Sequence, residues 1–151
     1  MKRRVAVCAF LVVAATASVA LAAGKCGWDV HASNFETLEL SKSHSLLFYT
    51  GQATIVTDDV KDPRHLTSGV CRGMGTAEGE NLNWAGACWW ADAGGDRWVA
   101  TWGADKAPKP GEPLTGWFKV TGQDNTGKFT SLKGSGTWTG LPKGGSRWCE
   151  D

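Results

Sequence analysis

The chain has 151 residues, of which 42% are hydrophobic, and its 16 basic and 15 acidic side chains leave a formal net charge of +1. Because the basic and acidic side chains are so evenly balanced, the chain provides no basic face for nucleic acid or for an anionic membrane. This excludes both as principal partners. The length predicts one domain with one modest core. Nine tryptophans must be placed in that domain, and each is large enough to dominate a core or a binding surface.

The first predicted element is a secretory signal peptide over residues 1–22. Three basic residues at positions 2–4 precede an Ala-rich apolar run that ends in the small-residue pattern Ala20-Leu21-Ala22, which is typical of a cleavage site. We therefore expect an exported protein, periplasmic or extracellular, with no membrane span after removal of the signal. The remaining domain, residues 23–151, would carry 13 basic and 15 acidic side chains.

Runs with strand chemistry, separated by glycine-rich turns, follow the signal. They predict an all-β fold, a single antiparallel β-barrel of about seven to eight strands. The predicted strands cover residues 36–41, 46–56, 69–77, 83–92, 97–104, 114–121 and 134–139. Two longer segments, 56–69 and 105–113, are predicted loops, each long enough to lie over the mouth of a barrel.

Four cysteines remain after the predicted cleavage, and an even set in an exported chain predicts two disulfides. They are Cys26, Cys71, Cys88 and Cys149. Composition alone allows three connectivities, but a hairpin with Gly79 and Glu80 as its turn places Cys71 directly opposite Cys88. Opposed residues of an antiparallel pair come within bridging distance. We therefore favour a disulfide between Cys71 and Cys88, which leaves Cys26 to pair with Cys149. Two disulfides would then cross-link the barrel.

The next predicted hairpin contains four tryptophans in the stretch GACWWADAGGDRWVATWGAD, residues 86–105. A two-residue turn at Gly94 and Gly95 would place three rings on one face of the hairpin, opposite alanines. These rings are Trp89, Trp98 and Trp102. Trp90 would lie on the other face beside Cys88, and Asp92 would pair with Arg97 across the strands. A slip of one residue would exchange the two faces.

The three rings on one face support two interpretations. They fill a tryptophan-rich core, or Trp89, Trp98 and Trp102 bind a ligand at the interior or the mouth of the barrel. An indole ring combines a large apolar surface with an N–H donor, which suits a pocket that orients a small apolar or aromatic molecule. We expect these three residues to be the ligand-binding set.

Motifs for nucleotides, metals and cofactors are incomplete in this chain. The segment GQDNTGKF nearly matches a phosphate-binding loop, but Phe129 replaces the required hydroxyl residue and no helix signal follows. DAGGD, residues 92–96, lacks the third carboxylate of a calcium loop. The histidines His31, His44 and His65 have no metal-ligand spacing. We therefore predict no metal and no cofactor, and we assign no catalytic residue.

Three segments of the sequence resemble those of a known class of proteins. They are GVCRGMG, GACWWADAGGDRW and GWFKVTGQDNTGKFTSLKGSGTW, within residues 69–140. In this order they resemble small exported bacterial β-barrel proteins of the class related to allene oxide cyclase and the dirigent proteins, among the calycin-like barrels. The resemblance implies an eight-stranded or nearly closed antiparallel barrel with an interior for a small molecule. It carries over no activity and no catalytic residue.

The sequence supports three functional hypotheses. The first is an exported, non-catalytic binding protein whose tryptophan-lined interior or mouth holds a small apolar or aromatic ligand. The second is an extracellular interaction protein that binds a polysaccharide on an exposed platform of Trp98 and Trp102, or that inhibits a secreted hydrolase. The third is an enzyme of cyclase or isomerase type, which would need a carboxylate or a histidine inside the barrel.

Overall fold

The structure, a computed structural model, describes residues 25–141 and 144–151 and forms a closed antiparallel barrel of eight strands. The strands are β1 (Cys26–Ser41), β2 (His44–Thr57), β3 (Ser68–Glu78), β4 (Asn81–Ala91), β5 (Arg97–Lys106), β6 (Thr115–Val120), β7 (Gly134–Gly140) and β8 (Ser146–Glu150). Each strand pairs with the next along the chain, and β8 pairs with β1. The predicted signal peptide, residues 1–22, lies outside the described residues.

The all-β barrel predicted from the sequence is confirmed, and all seven predicted strands are present. Two elements were missed, namely β8 and residues 26–35 of β1. β8 has only five residues, too few for a clear alternating pattern. It is held instead by pairing with β1 and β7, which are distant in sequence.

Both predicted disulfides are present. Cys71 faces Cys88 across β3 and β4 with their Cα atoms 4.0 Å apart, as the predicted turn at Gly79 and Glu80 requires. The other bridge joins Cys26 to Cys149, with Cα atoms 4.1 Å apart. This second bridge lies between β1 and β8, where the barrel closes.

The predicted register of the β4–β5 hairpin is wrong by one residue. Trp90 faces Trp98, and Trp89 faces Val99. The loop has three residues, 93–95, because the Asp92 backbone N–H donates to the Asp96 carbonyl and the Gly95 N–H donates to the Asp92 carbonyl. Gly95 has a φ of +88°, as expected where a turn is followed by a left-handed residue.

The Asp92 side chain explains why the longer loop is adopted. Its carboxylate accepts hydrogen bonds from the backbone N–H groups of Gly94 and Asp96, at 2.8 and 3.1 Å, in the manner of an Asx turn. It also pairs with Lys128 at 2.7 Å, so the predicted pairing of Asp92 with Arg97 is wrong. The side chain therefore fixes the loop length, which sets the faces of both strands.

The segment 121–133 supplies hydrogen-bond partners to β5, because β5 pairs with β6 only near residues 101–103. The Asn125 side-chain oxygen accepts a hydrogen bond from the Val99 N–H at 2.9 Å. Its amide nitrogen donates to the carbonyls of Phe129 and Leu132. The segment that resembles a phosphate-binding loop thus satisfies backbone groups of a neighbouring strand.

The two disulfides should differ in their contribution to stability. Cys71 and Cys88 are 17 residues apart, whereas Cys26 and Cys149 are 123 apart. Loop-closure entropy predicts that replacing the first pair by alanine lowers the free energy of unfolding by about 3 kcal/mol, and the second by about 5 kcal/mol. Urea unfolding of the two double variants would measure both. An equal loss, or the reverse order, would contradict this account.

The corrected register predicts which tryptophan side chains water can reach. Trp89 is 48% exposed, whereas its neighbour Trp90 is 5% exposed and Trp98 is 4% exposed. Hydroxyl-radical footprinting read by mass spectrometry should therefore oxidise Trp89 several-fold faster than the other two. Faster oxidation of Trp90 than of Trp89 would contradict the observed register and support the two-residue turn predicted from the sequence.

Candidate functional site

The barrel interior contains a cavity in two adjacent regions, of about 70 and 160 Å³. The regions share part of their lining, which comprises Asp29, Cys88, Trp102, Trp138 and Ser146. We call the region that reaches Arg64 and Trp148 the inner region, and the region that reaches Tyr49 and Trp84 the outer region.

Aromatic rings line both regions of this interior cavity. In the outer region, Tyr49, Trp84 and Trp102 make mutual edge-to-face contacts with ring centroids 4.8–5.7 Å apart. Trp138 meets both tryptophans edge-to-face at 6.4 Å. In the inner region, Trp90 and Trp98 are stacked with centroids 4.2 Å apart. Rings packed in this way hold one another in place, so the walls are preorganised.

Two glycines make room for the central ring, that of Trp102. Gly73 faces Gly86 across β3 and β4, and a Cβ atom on either would come within 2.4–2.5 Å of the Trp102 indole. No side chain fits there, because real Cβ atoms do not approach other carbon atoms so closely. The glycines in these strands therefore position a wall of the cavity.

The loop of residues 58–67, which we call the plug loop, closes the inner end of the barrel. Its Arg64 is 1% exposed and lines the inner region. The guanidinium pairs with Asp62 at 2.7 Å and with Glu150 on β8, and it lies 4.7 Å from the Trp148 ring centroid. The loop is also fixed by Trp98, whose indole N–H donates to the Thr67 hydroxyl at 3.2 Å.

The charges inside the barrel are predominantly negative. Burial alone would raise the pKa of Asp62, but hydrogen bonds from Arg64 outweigh it and hold that pKa below its ordinary value. Burial raises the pKa of the Tyr49 hydroxyl, and the negative charge of Asp29 raises it further. Tyr49 therefore stays protonated at physiological pH. Asp29 lines both regions of the cavity.

The structure divides the predicted ligand-binding set. Trp98 and Trp102 line the cavity and are 4% and 8% exposed. Trp89 lies on the outside of the barrel because of the one-residue change in register. Trp90 lies inside the barrel instead of Trp89. The prediction that Trp90 lies on the opposite face from Trp98 and Trp102 is therefore wrong.

Most of the other lining residues were not predicted from the sequence. Among them are Tyr49, Trp84, Trp138, Trp148, Asp29 and Arg64. The alternation of β4 gave a usable signal for Trp84, since it lies an even number of residues from Cys88. Arg64 gave no signal, because it stands in a polar loop, DDVKDPRHL, that has the composition of exposed surface.

Clusters of metal-ligating side chains and long apolar helices are both absent from the described residues. Among them, no three histidine, cysteine, aspartate or glutamate side chains lie close enough together to hold a metal ion. The same part of the chain contains no helix with the length and apolarity needed to cross a membrane. His65, the histidine of the plug loop, contacts Thr57 through its Nδ1 atom.

No protein-family model, no curated protein and no solved structure matches this chain. Its function must therefore be argued from the cavity itself.

The buried ion network of the plug loop predicts a large effect of Arg64→Ala. The substitution leaves the Asp62 carboxylate buried without its partner, which costs about 3–5 kcal/mol in comparable cases. Chemical unfolding at pH 7 would measure this loss. Arg147→Ala is the matched control, since Arg147 makes a similar pair with Asp58 at the surface, where ion pairs contribute little. Equal losses would contradict the assigned role of the plug loop.

The same network predicts an acid dependence of stability. Because the folded-state pKa of Asp62 is lowered, its contribution is present above the unfolded pKa of about 3.9 and is lost as the pH falls through the folded value. In Arg64→Ala burial acts without the opposing hydrogen bonds and raises the pKa of Asp62, so the stability gap between the wild type and this variant should begin to narrow as the pH falls through that raised pKa and should keep narrowing down to the lowered pKa of the wild type. Unfolding curves at a series of pH values would check this, and a gap that widens in acid would refute it.

Proposed function

We propose that this protein is an exported β-barrel binding protein that holds a small apolar or aromatic ligand in its interior. The observation that carries the proposal is the cavity, whose walls include six tryptophans. They are Trp84, Trp90, Trp98, Trp102, Trp138 and Trp148. Rings that only filled a core would be expected to pack against one another without open space between them.

The chemistry of the lining favours an uncharged, flat ligand. Indole and phenol rings offer large apolar faces for stacking, and each ring buried against a ligand ring adds about 0.5–1.5 kcal/mol beyond simple burial. The Cys71–Cys88 disulfide borders the cavity, and together with the ring contacts it reduces the conformational entropy lost on binding.

Export to an oxidising compartment is part of the same proposal. The two disulfides are compatible with it, because such bridges persist outside the cytosol. The resemblance to the allene oxide cyclase and dirigent class remains a prediction from the sequence.

A cyclase or isomerase is the second candidate, and one observation favours it. Such an enzyme needs an ionisable group inside the barrel, and Asp29 lines both regions of the cavity. Its negative charge influences the hydroxyl of Tyr49, so a carboxylate and a phenol lie in the same site. Conversion of a bound compound, abolished by Asp29→Asn, would identify this activity; stoichiometric binding without conversion would identify the binding protein.

The polysaccharide alternative required Trp98 and Trp102 as an exposed platform. Both side chains are buried, so we do not propose it. No observation supports inhibition of a hydrolase.

Ligand binding should be blocked by filling the cavity. Ala100 lines the inner region, so Ala100→Leu adds three carbon atoms to the space that a ligand would occupy. We expect aromatic compounds such as naphthalene and anthracene to change the tryptophan fluorescence of the wild type, with binding weakened at least tenfold in Ala100→Leu. Fluorescence titration would measure both affinities.

Ala87→Leu is the matched control, because Ala87 is exposed on the outer face of β4. It makes the same chemical change outside the cavity and should leave the affinity unchanged. Circular dichroism would confirm that both variants fold. An absence of binding by the folded wild-type protein, or equal binding by the two variants, would contradict the proposal.

A further inference from the structure

Four aromatic rings give the outer region of the cavity a shape of its own. Tyr49, Trp84 and Trp102 are nearly perpendicular to one another, with interplanar angles of 75–89°. Trp138 is nearly perpendicular to Trp84 and to Trp102, at 78° and 88°. Two rings that are each perpendicular to the same two crossed rings have nearly parallel planes, as Tyr49 and Trp138 therefore do. All four rings line the outer region, and we call them the aromatic box.

The shape of the aromatic box favours a rounded ligand group over a flat one. A flat molecule can lie parallel to only one of the three ring orientations, whereas a rounded group can contact rings in all three. The inner region differs, because Trp90 and Trp98 are stacked there at an interplanar angle of 19°. The outer region has a volume of about 160 Å³, and a cavity of about 150 Å³ can hold benzene. A rounded group of similar size would fit the outer region.

Asp29 gives the outer region a negative charge. It stands opposite Ile55 across β1 and β2, and opposed residues of an antiparallel pair lie on the same face. Ile55 is buried and lines the cavity, so the Asp29 side chain also points inward. Among the described residues that line the outer region, Asp29 is the one with a charged side chain. Its attraction for a positive group acts through space and requires no direct contact.

The inner region shows how this barrel holds a positive charge. The Arg64 guanidinium lies 4.7 Å from the Trp148 ring centroid and pairs with two carboxylates, so a ring face and carboxylates surround one cation. The outer region contains the same two components, ring faces and a carboxylate. No lysine or arginine side chain of the described residues lies over a tryptophan of the aromatic box. A cation on those rings would therefore come from a ligand.

We propose that the outer region binds a small quaternary ammonium group, such as the trimethylammonium group of choline. The methyl groups contact the faces of the aromatic box, which attract positive charge, and Asp29 adds an attraction through space. A quaternary ammonium has no N–H donor that would lose a hydrogen bond to water on burial. The inference goes beyond the proposed function, because it assigns a second class of ligand to a separate region of the cavity.

Choline and 3,3-dimethyl-1-butanol test the inference directly. The two compounds have the same shape, but the second has a carbon atom in place of the charged nitrogen. We expect choline to bind at least about tenfold more tightly, and isothermal titration calorimetry would measure both affinities. Ethanolamine, a primary ammonium, should bind more weakly than choline. Equal binding of choline and its neutral isostere would overturn the inference.

Two charge variants test the contribution of Asp29. Asp29→Asn removes the charge and keeps the size, so the preference for choline over 3,3-dimethyl-1-butanol should fall about five- to tenfold. Asp124→Asn is the matched control, because it makes the same change at an exposed position and should leave the preference unchanged. The ratio of two affinities cancels a general effect of either substitution on the cavity. An unchanged preference in Asp29→Asn would overturn the role of the carboxylate.

Fluorinated tryptophan separates the charge of the ring faces from their shape. Fluorine withdraws electron density from the ring face and changes the size of the ring little, so it weakens the attraction for a cation. In protein made with monofluoro- and difluorotryptophan, the affinity for choline should fall stepwise. The affinity for 3,3-dimethyl-1-butanol should stay within about twofold. Equal decreases for the two compounds would overturn the assigned role of the ring faces.

Glycerophosphocholine distinguishes a free compound from a lipid head group. It carries the same trimethylammonium group as choline, together with a negatively charged phosphate. Because Asp29 repels the phosphate, we expect choline to bind more tightly, as a site for a free compound requires. The reverse order would overturn the preference for a free compound.

The outcomes separate this inference from the proposed function. Ala100 lines the inner region only, so Ala100→Leu should weaken the binding of naphthalene and leave that of choline unchanged. If naphthalene binds the folded protein and choline does not, the inference is overturned and the proposed function stands. If choline binds and neither naphthalene nor anthracene does, the inference stands and the apolar ligand is overturned. If none of them binds, both are overturned.

Discussion

The pairing of β1 with β8 is the constraint on which the rest of this molecule depends. The two strands meet only from Cys26–Cys149 to Asp29–Ser146, a short ladder compared with the long pairing of β1 with β2. Without this junction the sheet would be open and its inner face would be exposed to water. The Cys26–Cys149 disulfide at one end of the ladder compensates for its shortness, because the cross-link between the two ends of the domain lowers the entropy of the unfolded chain.

Closure of the sheet creates an interior in which the large tryptophan side chains can be buried. In a barrel of eight strands the interior has room for side chains or for one small ligand. This protein uses a small number of very large rings in place of many aliphatic side chains. Large rings need small residues opposite them, and Gly73 and Gly86 meet that need beneath Trp102. Rigid rings do not collapse into the remaining space, so the cavity persists between them.

The sequence was sufficient to predict the barrel and both disulfides, because these follow from alternation, glycine turns and an even set of cysteines. It was insufficient to distinguish Trp89 from Trp90. The two residues are adjacent and identical, and the difference of one residue in the β4–β5 loop decides which of them faces inward. Lys128, which pairs with Asp92 in that loop, comes from a distant segment and could not be anticipated. Arg64 was missed for the same reason, since Glu150 and Trp148 of β8 account for its burial.

The position of Glu150 beside Cys149 links the plug loop to the order in which the barrel can fold. Arg64 obtains its second carboxylate from β8, and β8 also provides one half of the closing disulfide. Contacts between residues so far apart in sequence form late, because the intervening chain must first be ordered. The hairpins from β1 to β5 can form from neighbouring segments, whereas the inner end of the cavity becomes complete only when β8 docks. The last five-residue strand therefore supplies both the covalent closure of the barrel and the second charge partner of its buried arginine.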